Sequence, residues 1–206
     1  MSKASYSVRK CCKYKRFSLS PNTHYSYHND PNQLKLAIHN VLINSNSINL
    51  VLFEPEIPPN TGNLIRLCAN TGIGLHLVEP LGFSLETKAL RRAGLDYHET
   101  AQVKVHSNLD ACFDSLGVLE GCGDSRVFAV TTKGSVIYDQ PIYQPGDILL
   151  FGPETRGLPD GVLADGRVFQ KIRVPMMPDS RSLNLSNAAA IISYEALRQL
   201  NFPGLR

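Results

Sequence analysis

The chain has 206 residues, 43% of them apolar and 19% charged, with a formal net charge of +3, a composition that suits one domain with a real core and a short appendage. No apolar run approaches the ~18 residues of a membrane span, and the N-terminus lacks the apolar stretch of a secretory signal. The five cysteines (Cys11, Cys12, Cys68, Cys112 and Cys122) form no CxxC pair, which argues against a disulfide framework or a zinc site and for a soluble protein of the reducing cytoplasm.

The charge is unevenly spread. Residues 1–47 hold seven Lys/Arg against one acid, Asp30, whereas residues 48–206 hold 14 basic and 17 acidic side chains. The basicity therefore belongs to the tail, and nucleic-acid binding by the main domain would have to rest on local patches. The tail is rich in Ser, Asn and Tyr without periodicity, which reads as disorder. A basic arm touching RNA, an organelle transit segment, which shares the acid-poor composition, and an over-long start remain open beside it.

From Ile48 onward, short apolar runs alternate with helical patterns. Ile48–Phe53 reads as a buried strand, Pro58-Pro59-Asn60-Thr61-Gly62 as a turn, and Asn63–Asn70 as a helix stopped by Gly72. Strand Leu75–Val78, helix Leu85–Ala93 and a candidate strand Gln102–Val105 follow. Beyond them come helix Leu109–Leu116, strands Val127–Thr131 and Ile148–Phe151, a helical turn near Asp160–Ala164, strand Lys171–Val174 and helix Asn184–Leu200. Such alternation predicts an α/β fold whose mainly parallel sheet is covered by helices on both faces.

Ligands of parallel sheets bind beyond the carboxyl ends of the strands. Three unusual loops are expected there: Glu54–Asn63 after the first strand, Gly152-Pro-Glu-Thr-Arg-Gly157 after Phe151, and Pro175–Leu183 after Val174. The last is crowded with Asp179, Ser180, Ser182, Asn184 and Ser186, residues that cap helices and bend backbone. It runs into Ala188-Ala-Ala190, which favours a helix with room for close packing.

Several chemistries are missing. There is no Walker A motif, no GxGxxG after a strand, no HExxH and no GxSxG, so a hydrolase using Ser180 or Ser182 with His98 lacks a nucleophile elbow. The six histidines show no metal-ligand spacing. Arg66, expected about one turn into its helix, is placed either to clamp a phosphate bidentately or to form a surface salt bridge. Arg91 and Arg92 read equally as phosphate contacts and as a solvated helix face.

Taken together, Phe53-Glu-Pro-Glu-Ile-Pro-Pro-Asn-Thr-Gly-Asn63, Arg66-Leu-Cys-Ala-Asn-Thr-Gly72, Leu90-Arg-Arg-Ala-Gly-Leu-Asp-Tyr-His98, Phe151-Gly-Pro-Glu-Thr-Arg-Gly-Leu-Pro159 and Pro178-Asp-Ser-Arg-Ser-Leu-Asn-Leu-Ser-Asn187 resemble the three signature motifs of the SPOUT (TrmH-like) RNA 2′-O-methyltransferases. Within them the resemblance is to the YibK/TrmL type, tRNA (cytidine/uridine-2′-O)-methyltransferases of the wobble position. It spans nearly all of 48–204 and is weakest at 107–125 and 135–145.

This resemblance implies a deep C-terminal trefoil knot, a homodimer, tRNA as substrate with leucine tRNAs foremost, and S-adenosylmethionine as cofactor without a metal. Main-chain groups at Val130, Gly152, Val174 and Ser182 would hold the cofactor, with Leu183 against the adenine. Arg66 would be catalytic and come from the partner subunit, while Asn60, Glu154, Asn184 and Ser186 order the site and Tyr194 contributes. Arg91, Arg92, Arg156, Arg173 and Arg181 are the candidate RNA contacts. The alternatives are a related enzyme acting on ribosomal RNA or another tRNA position, and a catalytically silent RNA-binding dimer.

Overall fold

A computed structural model of the chain describes residues 47–84, 103–120 and 125–206. The predicted helix Leu85–Ala93 with Arg91 and Arg92, the Asp96–His98 segment and residues 1–46 of the basic tail lie outside the described residues. Seven strands, β1 (Asn49–Phe53), β2 (Gly74–Val78), β3 (Val103–His106), β4 (Val127–Val130), β5 (Val136–Ile137), β6 (Ile148–Phe151) and β7 (Val168–Arg173), form one sheet. Its order is β3-β2-β1-β6-β4-β7-β5, and every neighbouring pair is parallel. Among the described residues four helices accompany it: α1 (Pro58–Thr71), α2 (Leu109–Ser115), α3 (Asp160–Leu163) and α4 (Leu185–Gln199).

Both faces of the sheet are covered because β4 and β6 are apolar at every position and β1 at all but Asn49, and successive side chains point to opposite sides. Leu50, Leu52, Leu149 and Phe151 join Leu64, Ile65 and Cys68 of α1 and Ala189, Ile192, Ala196 and Leu197 of α4 in one core. On the other face Val51, Val127, Ala129, Ile148 and Leu150 pack with Cys112 and Phe113 of α2. Each large side chain sunk this way contributes about 1.5–3 kcal/mol. Among the described residues, no helix is long and apolar enough to cross a membrane.

Three boundaries differ from the expectation. The Pro58–Gly62 stretch read as a turn is the first turn of α1, with proline at its first two positions. Proline is at ease there, since its fixed φ suits a helix and the first N–H groups have no intrahelical partner in any case. Strand β7 begins at Val168 rather than Lys171 and stops at Arg173, its Phe169 and Lys171 exposed on one face and Gln170 half-buried on the other. The edge strand β5 has only two residues, too few for an alternation to register.

At the amino ends of β4 and β6, Asp147 is completely buried. It accepts from Arg126 Nε at 2.9 Å and Nη2 at 2.6 Å, and from the Gln144 N–H at 2.7 Å. The Arg126 guanidinium also lies 5.2 Å from the Phe128 ring centroid and 5.1 Å from that of Phe169, a cation–π sandwich. Arg126→Met keeps the apolar stem but leaves a buried carboxylate unpaired, so chemical denaturation should show a loss of about 3–5 kcal/mol. A loss well under 1 kcal/mol would mean that this pair does not anchor the two strands.

Candidate active site

The parallel sheet brings the loops after β1, β4, β6 and β7 to one edge, where they enclose a crevice of about 460 Å³. That is within the usual range for small-molecule sites. Val130, Gly152, Glu154, Val174, Ser182, Leu183, Asn60 and Asn184 all line it. Every residue assigned to the cofactor from the sequence is thus in one place. The loop Thr131-Thr132-Lys133 also lines it, a fourth segment that the sequence reading passed over. Gly134 just beyond it passes close under β7: a Cβ there would sit 2.7 Å from the backbone carbon of Ile172.

Gly152 is required by the fold of the β6 loop itself. A Cβ at this position would lie 2.3 Å from the Leu158 nitrogen and 2.4 Å from the Gly157 carbonyl carbon. The loop 152–158 therefore doubles back tightly against its own start.

The loops are tied together by hydrogen bonds centred on Glu154. Its carboxylate accepts from the N–H of Glu56 at 2.8 Å, the N–H of Ile57 at 3.3 Å and Asn60 Nδ2 at 3.0 Å. Ile57 is the N-cap of α1 and has no capping side chain of its own, so a carboxylate from a loop 97 residues away occupies the positive end of that helix. Asn184 Nδ2 donates to Asn60 Oδ1 at 2.9 Å. Asn184 Oδ1 caps α4, accepting from the Ser186 N–H at 2.9 Å and the Ser186 hydroxyl at 2.7 Å. Asn63 Nδ2 closes the chain on Ser186 Oγ at 3.4 Å. Asn63 was missed because a polar residue in the first turns of a helix has no distinctive spacing.

A second cluster lies alongside. Glu56 accepts from the Thr155 hydroxyl at 2.6 Å and the Thr155 N–H at 3.2 Å, and Arg156 pairs with Glu54 and, at 3.8 Å, with Glu56. The Thr155 hydroxyl above all holds the Glu56 carboxyl below the usual carboxylate range; burial opposes it, and the Thr155 N–H and the Arg156 charge add to the lowering.

Residues 47–194 match the SpoU rRNA Methylase family. The chain belongs to the SpoU methylase family. A tRNA (cytidine(34)-2′-O)-methyltransferase of Yersinia pestis is 59% identical over 157 residues, covering 76% of this chain and 96% of that protein. The solved structure of a protein studied for 2-OH methylation of C/U34 on tRNA is 42% identical with a TM-score of 0.68, covering 76% of this chain and 98% of that one. An AdoMet-bound rRNA methyltransferase of Sinorhizobium meliloti is 25% identical with a TM-score of 0.63, covering 75% of this chain and 57% of that one.

In this SpoU methylase Arg156 also lines the crevice, whereas Arg66, Arg173, Arg181 and Tyr194 are not among its lining residues, and Arg91 and Arg92 lie outside the described residues. Arg66 is exposed on α1. Because the helix begins at Pro58 rather than near Asn63, Arg66 lies more than two turns in, roughly 12 Å along the axis from its start, and does not line the crevice of its own chain. Tyr194 is 48% exposed on α4, Arg181 is exposed on the β7 loop, and Arg173 is half-buried at the end of β7. Gly152→Ala should destabilise the protein by about 1–3 kcal/mol through overpacking; unchanged thermal and denaturant stability would show that the 152–158 loop can move aside.

Proposed function

We propose that this chain methylates the ribose 2′-hydroxyl of nucleotide 34, the wobble position of tRNA, with S-adenosylmethionine as donor. The observation that carries the reading is the gathering of Val130, Gly152, Val174, Ser182 and Leu183 around one crevice in a chain 59% identical to a tRNA (cytidine(34)-2′-O)-methyltransferase. The residues suit that cofactor. Side chains that are apolar or small leave backbone N–H and C=O groups as the polar contacts, and the glycine cradle allows close approach. When bound, the cofactor supplies an activated sulfonium methyl.

The chain's own part is to place and to stabilise. The hydroxyl oxygen must be held in line with the methyl near attack distance, roughly 3 Å. Glu154, Asn60, Asn184 and Ser186 hold the loops that define that position, and Glu154, already accepting from three N–H groups, acts as a holder. A guanidinium with a pKa above about 12 does not serve as a base, so Arg66 binds the phosphate next to the reacting ribose and stabilises the developing alkoxide.

The reading extends to a homodimer in which the partner subunit's Arg66 completes each crevice. Two features support it: Arg66 is exposed away from its own crevice, and Ile191 and Tyr194 stand 39% and 48% exposed on the adjoining α4. It extends also to a C-terminal trefoil knot, supported by the close passage of Gly134 under the β7 backbone, and to RNA contacts by Arg173, Arg181, Arg91 and Arg92. A phosphate would have to displace Glu54 and Glu56 from Arg156 for that residue to join them. Leucine tRNAs are the proposed substrates and the cytoplasm the proposed setting.

Labelled-methyl transfer to tRNA and cofactor titration, run side by side, test these roles. Arg66→Ala should slow transfer by about 10²–10³-fold with cofactor affinity nearly intact, while Ser182→Trp should block cofactor binding itself. If Arg66→Ala lost cofactor binding as completely as Ser182→Trp, the role given to Arg66 would be wrong.

A further inference from the structure

Away from the crevice, on the face of the sheet covered by α2, three side chains with metal-ligating atoms converge from separate elements. His76 comes from β2, His106 from the end of β3 and Cys112 from α2. Their ligand atoms all lie within 4.8 Å of one another. The two imidazole rings stack with centroids 5.1 Å apart and 7° between planes, and His76 Nδ1 lies 2.9 Å from His106 Nε2. His76 is 2% exposed and Cys112 fully buried, while His106 is only half-buried and leaves a way in.

We propose that His76 Nδ1, His106 Nε2 and Cys112 Sγ form a binding site for a zinc-class divalent cation, with water in the fourth position. Two imidazoles and a thiolate are a donor set that suits Zn²⁺, and three protein ligands plus water is a common coordination for it. Bond lengths of about 2.0–2.1 Å to nitrogen and 2.3 Å to sulfur put tetrahedral ligand atoms roughly 3.3 to 3.6 Å apart. The histidine pair therefore opens by a few tenths of an ångström and the thiol closes by about an ångström at most, within the reach of χ rotations.

Binding is balanced without any change of oxidation state. The hydrogen bond between the imidazoles breaks, and the proton of the donating ring moves to its other nitrogen. Cys112 loses its thiol proton to solvent, as a coordinating thiol does, and two Zn–N bonds and one Zn–S bond form. One exposed cation opposes the site: Lys104 is in register with His76 on the neighbouring strand, so its ammonium raises the potential that the metal meets. The site would join β2, β3 and α2 at the sheet edge, independently of the methyl-transfer reading.

The test is titration of the full, metal-stripped, reduced chain with Zn²⁺ and with Co²⁺, whose thiolate charge-transfer and tetrahedral d–d bands report the ligands. One equivalent should bind with a thiolate band and raise the melting temperature reversibly to chelator. His106→Gln should weaken it at least about tenfold, Cys112→Ser should abolish the thiolate band, and Lys104→Gln should tighten binding. Absence of binding, or binding unaltered by His106→Gln and Cys112→Ser and so held by the tail's Cys11, Cys12, His24 or His28, would overturn the proposal. Should Cys112→Ser fail to fold, His106→Gln, at a strand end and partly exposed, decides the matter alone.

Discussion

A single carboxylate holds the crevice together. Glu154 reaches from the β6 loop to two backbone N–H groups at the start of α1 and to Asn60 within its first turn. A helix that starts with two prolines and an isoleucine cap has no side chain of its own to meet those donors, and a carboxylate there makes charge-assisted hydrogen bonds aligned with the helix dipole. The carboxylate meets that need and at the same time fixes the position of the β6 loop relative to the β1 loop. Asn60, 4% exposed, passes the constraint on to Asn184, which caps α4. Three loops and two helices thus share one hydrogen-bonded chain.

The direction of α1 follows from this anchoring. Its amino end is held at the crevice and its body runs over the sheet against α4, burying Leu64, Ile65 and Cys68. Arg66 is then carried outward on the exposed side of the helix. The helix thus separates Arg66 from the crevice of its own chain, which is the feature that the proposed trans role of this residue rests on. The pairing of Arg156 with Glu54 and Glu56 keeps that cation neutralised at the rim of the crevice.

Much of this was legible in the sequence, for identifiable reasons. Strands buried on both faces read as unbroken apolar runs, so Ile148–Phe151 was found at its observed limits. The capping role of Asn184 was legible because Asn before Leu-Ser-Asn and an alanine run has few other uses. The first turn of α1 was hidden because Pro-Pro-Asn-Thr-Gly satisfies turn and helix-start rules equally, and that error shifted Arg66 a turn too close to the crevice. Thr131–Lys133 was overlooked because nothing in its residue types distinguishes it from an ordinary loop. The His76, His106 and Cys112 cluster was invisible to spacing rules, since its members come from two neighbouring strands and a covering helix rather than from one local motif.

Transfer of a methyl group to one ribose of tRNA is the chemistry on which the proposed residue roles rest. The most direct measurement is to incubate the protein with unmodified total tRNA and methyl-labelled S-adenosylmethionine, then to map the labelled nucleotide. A 2′-O-methyl group at nucleotide 34, with label in the ribose alone, is the expected result. Label in a base, at another tRNA position, or in ribosomal RNA in preference to tRNA would contradict it.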